Sequence, residues 1–201
     1  MTERRTGVRV TPGEARLMLL FTPALCGARD PLAVLAAVLP ELDVVQVRPK
    51  QPGGGAVELA PCPAAETLSW TRRVLALRDE LAPHARVLVD DRVDVALRLR
   101  AEGCDGVHLG QDDTPVELAR ALLGPEAWIG WSTHDVEQVV AGEDLPVDYL
   151  GFGPVHATTT KGHAHGLGSE RAWLAAASST RPVFAIGGID RTNAHELARV
   201  G

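Results

Sequence analysis

Seven short runs of near-continuous apolar residues punctuate the chain, at Leu17–Thr22, Val44–Arg48, Arg86–Asp90, Gly106–Gly110, Trp128–Ser132, Tyr149–Gly153 and Val183–Gly187. Strands covered on both faces have this composition, because neither face meets water. Between and after them lie segments of helical period: Pro31–Leu39, Leu68–Leu81, Val93–Ala101, Pro115–Leu123, Val136–Ala141, Arg171–Ala177 and Thr192–Val200. Two start signals agree with that reading. Asp30-Pro31 has the form of an N-cap followed by a proline in the first turn, and Thr114-Pro115-Val116-Glu117 has that of a capping box. Strand alternating with helix calls for parallel pairing, and repeats of about 20–30 residues favour a (β/α)8 TIM barrel over a doubly wound sheet.

The pattern departs from an ideal barrel in three places. Residues 1–16 precede the first strand as an N-terminal extension to a single domain. Gln51–Thr67 carries three prolines and three consecutive glycines where a short loop is normal, and is expected to be an inserted loop or mobile flap. The last helical pattern runs to Gly201, so the barrel is expected to lack its eighth strand and to leave an edge between the first and seventh.

Composition narrows the function classes. The 201 residues carry a formal net charge of −6, which disfavours a broad nucleic-acid footprint or a basic membrane face and leaves room for a small anionic ligand held by local cations. Cys26, Cys62 and Cys104 form no CxxC pair, so neither a zinc site nor a disulfide scaffold is indicated and a reducing cytoplasm is expected. Arginines followed by the apolar run Leu17–Leu25 and Cys26 loosely resemble an export signal, but Glu14 and Pro23 interrupt the pattern and a buried strand is the preferred reading. Of the 20 cationic residues only Lys50 and Lys161 are lysines. In a chain that fills cation positions with arginine, two lysines mark places where a compact point charge is wanted, as at a phosphate.

In a (β/α)8 barrel the reacting groups sit at the C-terminal ends of strands. Gln46, Arg48 and Lys50 alternate along the end of the second strand, so the first two share the inward parity and Lys50 stands one step further out. Asp90-Asp91 end the third strand, and the fourth runs on to Asp112-Asp113. Neighbouring strands lie about 4.8 Å apart, so a carboxylate from each end could hold one hard cation, Mg2+ before others, with substrate and water completing its shell. Read singly, Asp91 and Asp113 are equally helix-start acids. Ser132 is either a ligand hydroxyl or a cap for the helix that follows. Thr158, Thr159, Thr160 and Lys161 form a loop suited to phosphate after the sixth strand, and the glycine pair ending at Gly188 offers backbone N–H groups after the seventh. His156, His163 and His165 have no carboxylate or cysteine partner in the sequence pattern and are not favoured as a metal site.

Six motifs in order, QVRPK from Gln46, VDDRVD from Val89, GVHLGQDD from Gly106, GWSTH from Gly130, GPVHATTTK from Gly153 and IGGI from Ile186, resemble the thiamine phosphate synthase family. The resemblance implies a transferase that joins 4-amino-2-methyl-5-(diphosphooxymethyl)pyrimidine to 4-methyl-5-(2-phosphooxyethyl)thiazole and releases pyrophosphate. It assigns Gln46, Arg48, Lys50, Ser132 and Lys161 to the pyrimidine diphosphate. It assigns Asp91 and Asp113 to magnesium, and Thr158, Thr160 and Gly188 to the thiazole phosphate. Arg48, Lys50 and Lys161 would carry catalysis by neutralising the leaving group.

Three departures from the family pattern stand out. Asp90 occupies a position where the family usually has Asn, and is expected either to meet the pyrimidine amine or to carry a proton. Pro49 replaces the usual acid, and the eighth strand, whose end contributes to the thiazole phosphate site, is missing. Truncation, a substitute segment or a loss of full activity would each account for that gap. Two further readings stay open: a thiazole tautomerase of the same fold using His134, and a non-catalytic phosphate-ligand-binding relative. The expected partners are small phosphorylated molecules, with a homo-oligomer left open.

Overall fold

The computed structural model describes residues 9–52, 59–158 and 165–197. All seven expected strands form, and they pair side by side in parallel as one curved sheet. In chain order these are β1 (Met18–Phe21), β2 (Val44–Val47), β5 (Arg86–Asp90), β6 (Gly106–Leu109), β7 (Trp128–Thr133), β8 (Tyr149–Phe152) and β9 (Val183–Ala185). The numbers missing from that series belong to a small antiparallel ribbon of β3 (Lys50–Pro52) and β4 (Leu59–Pro61). Helices α1 (Pro31–Val38), α2 (Ala64–Leu81), α3 (Val93–Leu99), α4 (Val116–Leu123), α5 (Val136–Ala141), α6 (Ser169–Ala177) and α7 (Ala194–Leu197) complete the order. The sheet is a nearly closed barrel with one seam unsealed, between β1 and β9. Every residue of β9 is half-buried, and so are Met18, Leu19 and Leu20 of β1, whereas all of β2 and β8 is buried.

Two cores follow from strand alternation. Outward-facing Val45, Val47, Val87, Val89, Val107, Leu109, Ile129, Leu150 and Phe152 meet Leu35, Leu75, Leu99, Leu123 and Val139 of the surrounding helices. Inside the barrel Val44, Leu88, Trp128 and Tyr149 pack together with Met18 and Phe184. Val10 and Ala15, from the segment read as an extension, belong to this inner core. The segment is fastened by Val10 N–H to the His84 carbonyl at 3.2 Å and by an Arg9–Asp105 ion pair at 2.7 Å. It plugs the end of the barrel opposite the strand C-termini.

Local chemistry corrects several boundaries. The start of the expected loop 51–67 pairs in the ribbon, and its last residues, Ala64–Thr67, form the first turn of α2, in advance of the Leu68 start expected from periodicity. Asp30 caps α1 as expected, its side chain accepting from Leu32 N–H at 3.0 Å. The expected capping box at α4 does not form. Pro115 itself occupies the cap position with an extended backbone, which displaces Thr114 from the place where its hydroxyl could reach the first turn. Among the described residues no helix is long and apolar enough to cross a membrane.

Candidate active site

Gln46, Arg48 and Asp90 project to the inside of the barrel mouth with the parity of Val44 and Leu88. Arg48 and Lys50 are not solvated end charges, since their side chains are 9% and 8% exposed. Arg48 Nε and Lys50 Nζ both stand 3.2 Å from Asp90 Oδ2, and Lys50 Nζ also donates to Asp91 Oδ2 at 2.8 Å. Asp91 is the single non-glycine residue with positive φ among the described residues, at 62°. Aspartate tolerates that region better than most side chains. The turn is held by Asp91 N–H donating to the His108 carbonyl at 2.8 Å, which carries the β5–β6 ladder one residue past the strand. Asp113 accepts from Gly110 N–H at 2.6 Å and faces the same cleft as Asp91. That cleft, of about 210 Å³, is lined by Pro49, Lys50, Asp90, Asp91, Arg92 and Asp113, and by Pro61, Cys62 and Thr67 from the ribbon and α2.

Burial and crowding pull these carboxyls apart in acidity. Desolvation, with Asp91's charge beside it, pushes Asp90 up to about 6 despite Lys50 and Arg48. Burial also raises Asp91, but the hydrogen bond and charge of Lys50 outweigh it and hold Asp91 below the usual carboxylate range. Asp113 is raised by burial and then by Asp91, against the Gly110 N–H. Lys50 is desolvated as well, yet the two aspartates more than compensate, so its ammonium is held on more tightly than usual. Of the five buried side-chain polar atoms without a hydrogen-bond partner among the described residues, two lie at the mouth: Asp90 Oδ2, which keeps its ionic contacts with Arg48 and Lys50, and Gln46 Nε2. Leaving a buried donor unmet costs about 1–3 kcal/mol, so an orphaned amide at a barrel mouth is chemically a place for a ligand's acceptor.

Neither Asp91, Asp113 nor Ser132 is a helix cap. The caps of α3, α4 and α5 are Arg92, Pro115 and Asp135, and only Asp135 uses its side chain, accepting from Gln138 N–H at 2.7 Å. Ser132 Oγ instead lies 2.8 Å from His108 Nε2, whose Nδ1 is 2.9 Å from the Tyr149 hydroxyl. Sequence reasoning passed over His108 and Tyr149 as site residues. The available signal was parity, because His108 shares the inward face with Asp90, its partner in the strand register.

On the far side of the mouth, Val155 and His156 donate backbone N–H groups to the carbonyls of Ile186 and Gly187 at 2.8 and 3.0 Å. Gly188 has φ 61°, and a Cβ there would lie 2.5 Å from the Ala157 carbonyl oxygen, so a larger residue would push away the loop that leads to Thr158. Arg48, Lys50, Asp90, Asp91 and Asp113 are thus in one cluster, Ser132 is joined to His108 on the neighbouring strand, and Thr158 and Gly188 belong to the β8–β9 side. Thr159, Thr160, Lys161 and His163 lie outside the described residues. His134, the alternative acid/base, has Nδ1 2.7 Å from the Gly153 carbonyl, and His156 stands 3.9 Å from Glu196.

Comparison with known proteins decides the lineage. Residues 17–201 match the family model described as thiamine monophosphate synthase. The chain belongs to that family. A thiamine-phosphate synthase from Albidiferax ferrireducens is 42% identical over 192 residues, covering 94% of this chain and 80% of the relative. One from Persephonella marina is 47% identical over 114 residues, covering 57% and 53%. The match to the synthase of Synechococcus sp. (strain CC9605), 50% identical over 117 residues, covers 58% of this chain and 32% of that longer protein. Among solved structures, a thiamine phosphate pyrophosphorylase from Pyrococcus furiosus superposes with a TM-score of 0.73 at 30% identity, over 92% of this chain and 81% of that one. The family match and the superposition thus agree, one on sequence and the other on fold.

Proposed function

We propose that the protein is a thiamine phosphate synthase, coupling the diphosphooxymethyl pyrimidine to the phosphooxyethyl thiazole and releasing pyrophosphate. The observation that carries the reading is the burial of Arg48 and Lys50 beside three carboxylates at one barrel mouth. Two cations against three ionised acids leave the cluster one charge negative, which by itself repels a diphosphate. A divalent cation reverses that sign. Asp91 and Asp113 fit such an ion, since both face the cleft and each has a second oxygen besides the one bonded to Lys50 or Gly110. Among the described residues no set of three or more protein ligands is assembled, so substrate oxygens and water would complete the shell. When bound, Mg2+ would supply charge neutralisation to the leaving diphosphate.

In the reaction the methylene C–O bond breaks, the pyrophosphate departs with the electron pair, and the thiazole nitrogen forms the new C–N bond to the pyrimidinylmethyl cation. No nucleophilic side chain is required. Arg48 and Lys50, with Lys161 from the loop beyond, would stabilise the departing anion, and Gln46 would offer its unmet amide to the pyrimidine. Asp90, the departure from the family's Asn, supports a site that holds its cations by ionic contact until substrate enters. Thr158, Thr159, Thr160 and Gly188 would receive the thiazole phosphate. Three free, buried cysteines support a reducing compartment, the cytoplasm.

The test is turnover with both phosphorylated precursors and Mg2+, followed as thiamine phosphate and pyrophosphate. Lys50→Ala is expected to lower kcat by about 10²–10³. Asp113→Asn is expected to raise the Mg2+ concentration for half-maximal rate at least about tenfold. Binding of both precursors without coupling, or coupling unaffected by either substitution, would refute the proposal.

A further inference from the structure

Inside the barrel, Tyr149 OH, His108 Nδ1, His108 Nε2 and Ser132 Oγ form a chain with links of 2.9 and 2.8 Å. Its two ends differ. Tyr149 is fully buried, and its hydroxyl has no hydrogen-bond partner other than His108 among the described residues. Ser132 sits at the mouth, half-buried, and its hydroxyl has no partner other than His108 among the described residues.

The direction of the protons follows from that asymmetry. A phenol that can make one hydrogen bond in a dry interior uses it to donate, because an unmet O–H is costlier than an unfilled lone pair. Tyr149 therefore donates to Nδ1, which must be bare. A neutral imidazole with a bare Nδ1 carries its proton on Nε2, and Nε2–H then donates to Ser132 Oγ. With its oxygen accepting from His108, the serine's own proton is directed away, into the mouth that Gln46, Arg48 and Asp90 line. The reverse polarity would consume that proton on the imidazole and leave the phenol proton without an acceptor.

The space for this chain is built. A Cβ on Gly130 would stand 2.1 Å from Tyr149 Cζ and 2.5 Å from His108 Nδ1, and one on Gly151 would stand 3.1 Å from His108 Cε1. Glycine on two neighbouring strands leaves room for the Tyr149–His108 contact, and the two rings stack with centroids 5.5 Å apart.

We infer that Tyr149 and His108 are positioning residues that hold Ser132 as a hydrogen-bond donor toward an acceptor atom of the pyrimidine diphosphate. The inference rests on the synthase reading for the identity of that acceptor, while the proton order stands on the protein alone. It is tested first without substrate, by 15N resonance of the histidine-labelled full chain, with His108 assigned by the signal lost in His108→Gln. The expected result is an Nε2–H tautomer at neutral pH that moves toward the Nδ1–H form in Tyr149→Phe. An Nδ1–H tautomer or an imidazolium in the unaltered protein would overturn the proposal.

Steady-state kinetics supply the second arm. Tyr149→Phe keeps the ring and is expected to lower kcat/KM for the pyrimidine substrate about 3–10-fold. In a Ser132→Ala background the same change is expected to cost nothing further. His108→Gln, whose amide reaches the Nε2 position, is expected to retain more activity than His108→Leu. An equal loss from Tyr149→Phe with and without the Ser132 hydroxyl would show a merely structural role and sink the idea. A protein with the expected tautomer but no coupling activity would refute the synthase reading instead.

Discussion

Asp90 combines the strongest constraints on any side chain of the mouth: it is buried, lies beside two cations, and touches a second carboxylate. Because its folded-state pKa is raised to about 6, the native protein binds that proton more tightly than the unfolded chain does. The contribution to stability is complete at acid pH and is lost as pH rises from about 4 to about 6. Asp90→Asn removes that slope. The difference in urea-unfolding free energy between the variant and the unaltered protein is expected to shift in the variant's favour by about 2–3 kcal/mol across this window and to stay level above it. A flat difference from pH 4 to 7 would mean that Asp90 is ionised throughout. The residue type and its place at a strand end were legible from the chain. Its protonation was not, because that depends on Arg48 and Lys50 from β2 and on Asp91, whose placement is tertiary.

Elements followed the hydrophobic pattern closely, and the errors fall where proline or a cap decides. Periodicity starts α2 at Leu68 because Ala64, Ala65 and Glu66 carry no apolar stripe, yet the helix runs from Ala64 behind Pro63. At α4 a cap-like Thr114 was read as a start signal, whereas Pro115 takes the position. At α5 the sequence offered Ser132, and Asp135 does the capping. These assignments predict that Asp135→Ala lowers unfolding free energy by about 0.5–2 kcal/mol. Thr114→Ala is expected to stay within about 0.5 kcal/mol of the unaltered protein. Denaturant melts of the two variants check both, and equal losses would restore the capping box at Thr114.

For the whole molecule, the plugged base and the open seam matter most. Val10 is 7% exposed inside the barrel, and Asp105 gathers Arg9, Arg78 and Arg86 around the same end. Val10→Ala is therefore expected to cost about 1–2 kcal/mol. A truly loose extension would tolerate the change without effect. At the seam, β1 and β9 each have one strand neighbour among the described residues and are the least buried strands of the barrel. Their amides are expected to exchange with solvent faster than those of β5, β6, β7 and β8. Uniform protection around the ring, measured by hydrogen exchange, would mean that the seam is covered in solution.

Strand parity, the alternation of strand with helix and the motif residues are local properties, and each was readable from the chain because side-chain direction repeats every second residue along a strand. Those properties were enough for a seven-stranded parallel barrel and for naming the residues around its mouth. Folding added what pairwise sequence distance cannot encode. It brought Lys50 onto Asp91 from the end of the neighbouring strand, turned Val10 back into the core, and threaded a hydrogen-bonded chain from Tyr149 to Ser132 through a gap that two glycines leave. Acidity, proton direction and burial depend on which groups share a small dry volume, and that volume exists only once the strands have closed around it.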